Sequence, residues 1–260
     1  IGNMTRVATD AKGGQTFEEG DEISVYAWTG DASIAPDASE RVVNNAINKL
    51  TNGSWVSTPQ MLWKNNREKH YFIGVYPTAA ISDLSAGEYT FDVNKQTESD
   101  LLVAVNPDGL SYSADAQQIV PLTFTHVMAK LAVNLTYKNQ WGGIPTVEKV
   151  VVGNAAKEAT INYLTKVVTP STTAKEDFSL PEITENTKYV SVIIPQEEVK
   201  QLTIVIGGKN FVYDNGTPFK LESGKITTVN LEVGRDEIKL GDVKITNWED
   251  GSTFSGEALN

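Results

Sequence analysis

Side chains that exchange protons near neutral pH are scarce in this chain, which has two histidines, His70 and His126, in 260 residues. Cysteine is absent. That excludes thiol catalysis, thiolate zinc sites, iron–sulfur clusters and disulfides, and two histidines are too few for a multi-histidine metal centre. His126 lies in VPLTFTHVMAKLAVNL (120–135), with Lys130 four residues on. As a general base it would need a partner to orient it, and no Ser, Asp or Glu stands close to it in sequence. The simpler expectation is a hydrogen-bonded residue at a strand bend or domain junction. His70, between Lys69 and Tyr71 where a strand begins, reads as a surface or edge residue.

The other residues with binding potential are Trp28, Trp55, Trp63 and Trp141. Their rings could stack on sugars, or they could bury a large area at the ends of a β-sandwich core, the heavier expectation of the two. Acidic groups occur at Asp31, Asp37 and Glu40, at Asp214, and at Glu249 and Asp250, without the alternating oxygen ligands and central Gly of a calcium loop. No carboxylate pair stands out for glycoside hydrolysis, and Gly13-Gly14 opens no helix that could hold phosphate. The expectation is therefore no enzyme, no catalytic residue, no metal and no cofactor. A formal net charge of -11 argues against nucleic acid or anionic lipid as a partner. No apolar run approaches the ~18 residues of a membrane span.

The elements that must carry these residues are short and alternate in polarity. Residues 20–28, 70–77, 100–107, 146–154, 188–196, 202–208, 210–214, 227–233 and 242–248 are rich in Val, Ile, Tyr or Phe and end in turn residues, the signature of strands. Asn106-Pro107-Asp108-Gly109 and Asp214-Asn215-Gly216 read as turns, and Gly207-Gly208 as a hairpin loop. ERVVNNAINKL (40–50) has helical spacing, yet Asn52-Gly53 follows at once and favours a hairpin. The class is all-β. In 120–135 the apolar residues are even-numbered through Phe124 and odd-numbered from Val127, which turns the apolar set to the opposite face. The break lies near the midpoint and divides the chain into expected domains at 1–125 and 126–260, with strand pairing changing between Phe124 and Leu131. The lead IGNMTRVATDAKGGQTF has only scattered apolar residues and is a natural place for proteolysis.

Taken in order, these pieces resemble the fimbrillins, the Mfa-like and FimA-like pilin subunits of Bacteroidales type V pili. Thr5-Arg6 precedes Phe17, Gly20, Asp21, Ile23 and Val25; Trp55, Trp63 and Tyr76-Pro77 follow. Asp100 to Ala104 then leads into Val120, Leu122, Phe124, His126, Ala129, Lys130 and Leu131. Phe219, Leu221, Gly224 and Lys225 precede Ile245, Trp248 and Gly251. The resemblance implies two tandem transthyretin-like, Greek-key β-sandwich domains. It also implies export as a lipoprotein to the outer membrane and a place at the cell surface in a fimbrium used for cell adhesion, with other pilin subunits as partners. Host or bacterial surface proteins or glycans are further partners on that reading, and the lipid anchor would lie outside this sequence. In polymerising members an N-terminal segment, here 1–16, is a removable strand or propeptide released after an arginine, and Arg6-Val7 matches that step by position. A neighbour's donor strand then fills the groove. The tail after Trp248 offers only Phe254 and Leu259 as large apolar residues, a poor donor pattern that leaves stalk, tip, anchor and accessory roles open. The alternative is a surface glycan-binding lipoprotein using Trp28, Trp55 and Trp63.

Overall fold

The computed structural model describes residues 8–9, 15–113, 119–248 and 253–257, and the described residues form strands in six sheets with one short 3₁₀ turn at Asn139–Trp141. The largest sheet runs in the order β10 (Thr125–His126), β8 (Leu102–Leu110), β6 (His70–Tyr76), β3 (Glu22–Thr29), β4 (Val43–Thr51), β5 (Ser54–Thr58). A second sheet runs β16 (Glu182–Thr184), β17 (Lys188–Ile193), β11 (Ala129–Tyr137), β20 (Lys225–Val233), β21 (Ile238–Asn247). A third runs β15 (Lys175–Ser179), β12 (Lys149–Ala156), β18 (Gln201–Ile206), β19 (Lys209–Asp214). Three smaller sheets complete it: β14 (Val167–Pro170), β13 (Glu158–Asn162) and β7 (Gly87–Thr90); β22 (Thr253–Glu257) with β9 (Ile119–Thr123); and β1 (Ala8–Thr9) with β2 (Gln15–Thr16). The all-β class is as expected.

Both hairpin readings hold. Thr51 pairs with Ser54 across Asn52-Gly53, whose φ angles of 52° and 72° are the positive values this two-residue loop requires. Asn45 also takes a positive φ, at a bulge where β4 crosses β3, which a helix would not permit. Gly207 and Gly208 close β18 onto β19 in the same way. The expected turn at Asn106-Pro107-Asp108-Gly109 is corrected: these residues lie inside β8. His70 faces Leu110 and Phe72 faces Asn106, so β8 advances from 106 to 110 while β6 advances from 70 to 72, and the surplus is a bulge. Gly109 has φ 64°, and a Cβ there would sit 2.8 Å from the Tyr71 ring.

Period-two alternation puts the two faces of the six-stranded sheet into different cores. Tyr26, Trp28, Ile73, Val75, Leu101 and Val103 join a core that continues through the second half of the chain. Ile23, Val25, Ala27, Phe72, Leu102 and Ala104 form a separate core with Val120, Leu122 and Phe124. Chain halves also meet at β7, which pairs with β13 from Glu158↔Thr90 to Ile161↔Gly87.

Candidate assembly surface and the His126 joint

Strand pairing changes where the apolar phase breaks. β9 pairs with β22, His126 of β10 pairs with Leu102 at the edge of the six-stranded sheet, and Ala129 of β11 pairs with Ile193. Even-numbered Val120, Leu122 and Phe124 belong to one core, and odd-numbered Val127, Ala129 and Leu131 belong to the other. The change of parity is a change of core.

His126 pins this joint. Its side chain is buried, and Nδ1 lies 2.8 Å from Asp100 Oδ1. The imidazole stacks on Trp248 at 3.8 Å between centroids and 12° between planes. Lys130 places its ammonium 3.8 Å from the centre of the Trp248 ring. Burial holds the Lys130 pKa below the usual lysine value, with the Asp100 charge opposing the shift. His126 Nε2 and Trp248 Nε1 are buried with no hydrogen-bond partner. A general base needs an open path to substrate, and this imidazole has none. The group therefore works as packing: it joins the start of β8, the β10–β11 crossing and the end of β21. Asp100 is the partner that sequence reading missed, 26 residues from His126 and in contact only through folding.

Above this joint, the outer face of the six-stranded sheet packs in a core of its own. Among the described residues the strands over it are β9 and β22, and β22 comes from the far end of the chain. Their antiparallel pairing runs from Thr253↔Thr123 to Glu257↔Ile119. The tail expected to be a poor donor thus forms a strand on the first half of its own chain. Backbone pairing does not require apolar side chains, and Gly256 opposite Val120 shows that small residues suffice. From the other end, Phe17 packs edge-on against Trp55 and Phe124, each at 5.2 Å, and against Tyr76 at 5.5 Å. Segments from both ends of the sequence thus meet on one face. Gly74 lets β9 approach closely, since a Cβ there would lie 2.6 Å from the Phe124 ring.

The tryptophans read as candidate sugar platforms are packed inward. Trp28 is 1% exposed and Trp63 9% exposed, which leaves no open ring face for a sugar. Trp28 Nε1 donates to the Asp31 carbonyl at 2.8 Å, and Trp63 meets His70 edge-on at 4.8 Å. Trp55 is half-buried against Phe17. His70 is corrected from a surface to a core residue. Its Nδ1–H donates to the Glu68 carbonyl at 3.1 Å and its Nε2 accepts from the Lys64 amide at 3.0 Å, which fixes a neutral ring whose pKa burial lowers. No group of three or more His, Asp or Glu placed to hold a metal occurs among the described residues. Arg6 and Val7 lie outside the described residues.

These features define a β-sandwich protein with a strand-mediated surface and no open polar site at its buried histidine. The chain matches the model of the fimbrillin-like family over residues 5–248 and belongs to that family. It is similar in fold to a Bacteroides uniformis protein assigned to cell adhesion, at 17% identity and TM-score 0.66, covering 93% of this chain and 95% of that one. A Bacteroides ovatus protein assigned to cell adhesion matches at 18% identity and TM-score 0.64, covering 89% and 88%. The tip fimbrial protein Mfa3 from Porphyromonas gingivalis, truncated at its C-terminus, matches at 12% identity and TM-score 0.52, covering 93% and 97%. No curated protein sequence matches the chain. The family is one of fimbrial structural proteins.

Proposed function

We propose that this chain is a structural subunit or adhesin of type V pili that assembles by donor-strand exchange after cleavage at Arg6-Val7. One observation carries the reading: the outer face of the six-stranded sheet, buried in its own core, is covered by β9 and by a strand from the opposite end of the chain. A strand held at the surface by backbone pairing is the kind of element that an identical strand from another subunit can replace. The domains would divide at 1–125 and 126–260, with residues 1–16 as the removable segment. The protein would be exported as a lipoprotein and held at the outer membrane by a lipid outside this sequence. Its partners would be other pilin subunits and, at an exposed end of the fimbrium, a host or bacterial surface protein or glycan.

The test compares the intact chain, the chain cut by a trypsin-like protease, and an Arg6→Ala variant carried through the same digestion. Size-exclusion chromatography with light scattering should show ordered higher assemblies after cleavage at Arg6 and none in the resistant variant. Assembly that is identical in all three samples removes the processing step. No assembly in any of them removes donor-strand exchange for this chain.

A further inference from the structure

β21 is a ten-residue strand at the end of the five-stranded sheet, and no strand pairs with its outer side among the described residues. A long strand with one free edge is a template for another strand. Its core-facing side is also incompletely covered: Leu240, Val243 and Ile245 are 39%, 38% and 40% exposed. Their neighbours on β20 are Leu231, Val229 and Thr227, all sealed. The apolar stripe therefore ends at an open border. On the opposite face stand Asp242 and Lys244, whose side chains lie 3.4 Å apart along the strand.

We propose that β21 pairs antiparallel with β21 of a second copy of this chain, about a two-fold axis at Val243. Opposed residues of a sheet share a face, so the two-fold must pass through a residue position, and charge selects which one. Centring on Lys244 sets two lysines against each other. Centring on Ile245 puts Lys244 opposite Thr246 and moves Asp242 away from any cation. Centring on Val243 brings Asp242 opposite Lys244 of the second copy, twice by symmetry, and sets the two Val243 side chains together on the apolar side. Gly241 is the extra residue where pairing steps from Asn230↔Asp242 to Leu231↔Leu240, so this bulge interrupts a Val243-centred ladder beyond the Asp242 and Lys244 pairs and keeps it short. So short an edge buries less than the ~1,200 Å² typical of stable interfaces, and the dimer is a weak one. The proposal does not depend on cleavage at Arg6 or on strand exchange at β9.

The chain has no cysteine, so Val243→Cys introduces a sole thiol at an exposed position. Opposed residues of an antiparallel pair have Cα atoms ~4.5–5.5 Å apart, within disulfide range. Under mild oxidation Val243→Cys should give several-fold more crosslinked dimer than Ile245→Cys on the same edge or Thr90→Cys on another sheet. Sedimentation equilibrium of the unmodified chain should show reversible dimer, weakened at least ~10-fold by Val243→Lys, which sets two like charges face to face. Preferred crosslinking at position 245, equal yields at all three positions, or a monomer throughout the concentration series would each overturn the proposal.

Discussion

Removing Trp248 tests whether the His126 joint is held by packing, as its geometry requires. Trp248 is 2% exposed, stacks on His126 and lies under the Lys130 ammonium, and its amide donates to the Gly224 carbonyl at 2.9 Å. Deleting a buried tryptophan ring costs ~3–5 kcal/mol from lost burial and the cavity left behind. The ammonium–ring contact adds ~1–2 kcal/mol where the cation is desolvated, as the lowered Lys130 pKa indicates. Trp248→Ala should therefore lose ~4–7 kcal/mol and ~10–25 °C of melting temperature for a chain of this size. Lys130→Met alone should cost less than ~1 kcal/mol, because the lost contact is offset by removing a partly desolvated charge. The two effects should not add. A double-mutant cycle by denaturant unfolding, followed by circular dichroism, should give a coupling of ~1–2 kcal/mol. A Trp248→Ala loss below ~2 kcal/mol, or a coupling under ~0.5 kcal/mol, would refute the claim that this stack secures the joint.

Gly74→Ala drives a methyl toward Phe124 Cζ at 2.6 Å and Leu122 Cδ1 at 3.1 Å and should destabilise by ~1–3 kcal/mol. Adding Phe124→Leu should recover part of that loss, and a strictly additive pair would show that β9 does not pack where the structure places it. For His70 the folded pKa lies below that of the unfolded chain. Below pH ~6.5 the unfolded state binds a proton that the native state refuses, so stability falls as pH falls. His70→Gln should flatten that slope in unfolding series, and NMR titration of the native ring should show no protonation at its ordinary pKa. At the alkaline end, burial raises the pKa of Tyr163 to about 12 and also raises those of Tyr76, Tyr89, Tyr137 and Tyr189. Their contribution is intact below pH ~10 and is lost as pH rises through the folded values, so phenolate absorbance should appear together with unfolding rather than before it.

Where local rules and tertiary packing agree, the sequence was a sufficient guide. The hairpins at Asn52-Gly53 and Gly207-Gly208 follow from backbone dihedrals that few other dipeptides adopt. The phase break at His126 located a change of core because side-chain parity is a geometric property of any strand. At Asn106-Pro107-Asp108-Gly109 the same logic failed: turn-forming residues also build bulges, and only the length of the facing β6 decides between them. His70 failed for a related reason. Its charged neighbours signalled a surface, while the Lys64 amide and the Trp63 ring, brought in by the loop before β6, made it a satisfied core residue. Asp100 could be seen as part of a family pattern, but its contact with His126 could not.

The division of the core bears on how a strand could leave this fold without unfolding it. Val120, Leu122 and Phe124 belong to the outer core alone. The larger core takes its residues from the other face of the six-stranded sheet and from the second half of the chain, and no residue of 119–124 contributes to it. Loss of β22 would expose the β9 edge, while Tyr26, Trp28, Ile73 and Val75 would keep their packing. The cost of opening is then a local one, set by the backbone pairing from Thr253↔Thr123 to Glu257↔Ile119 and by the approach of β22 to β5. An incoming strand restores those same bonds, so the proposed exchange is close to balanced and is decided by how well the donor fills the outer core. On the proposed reading, a sheet buried on both faces in two separate cores would let one cover open while the other holds the subunit together.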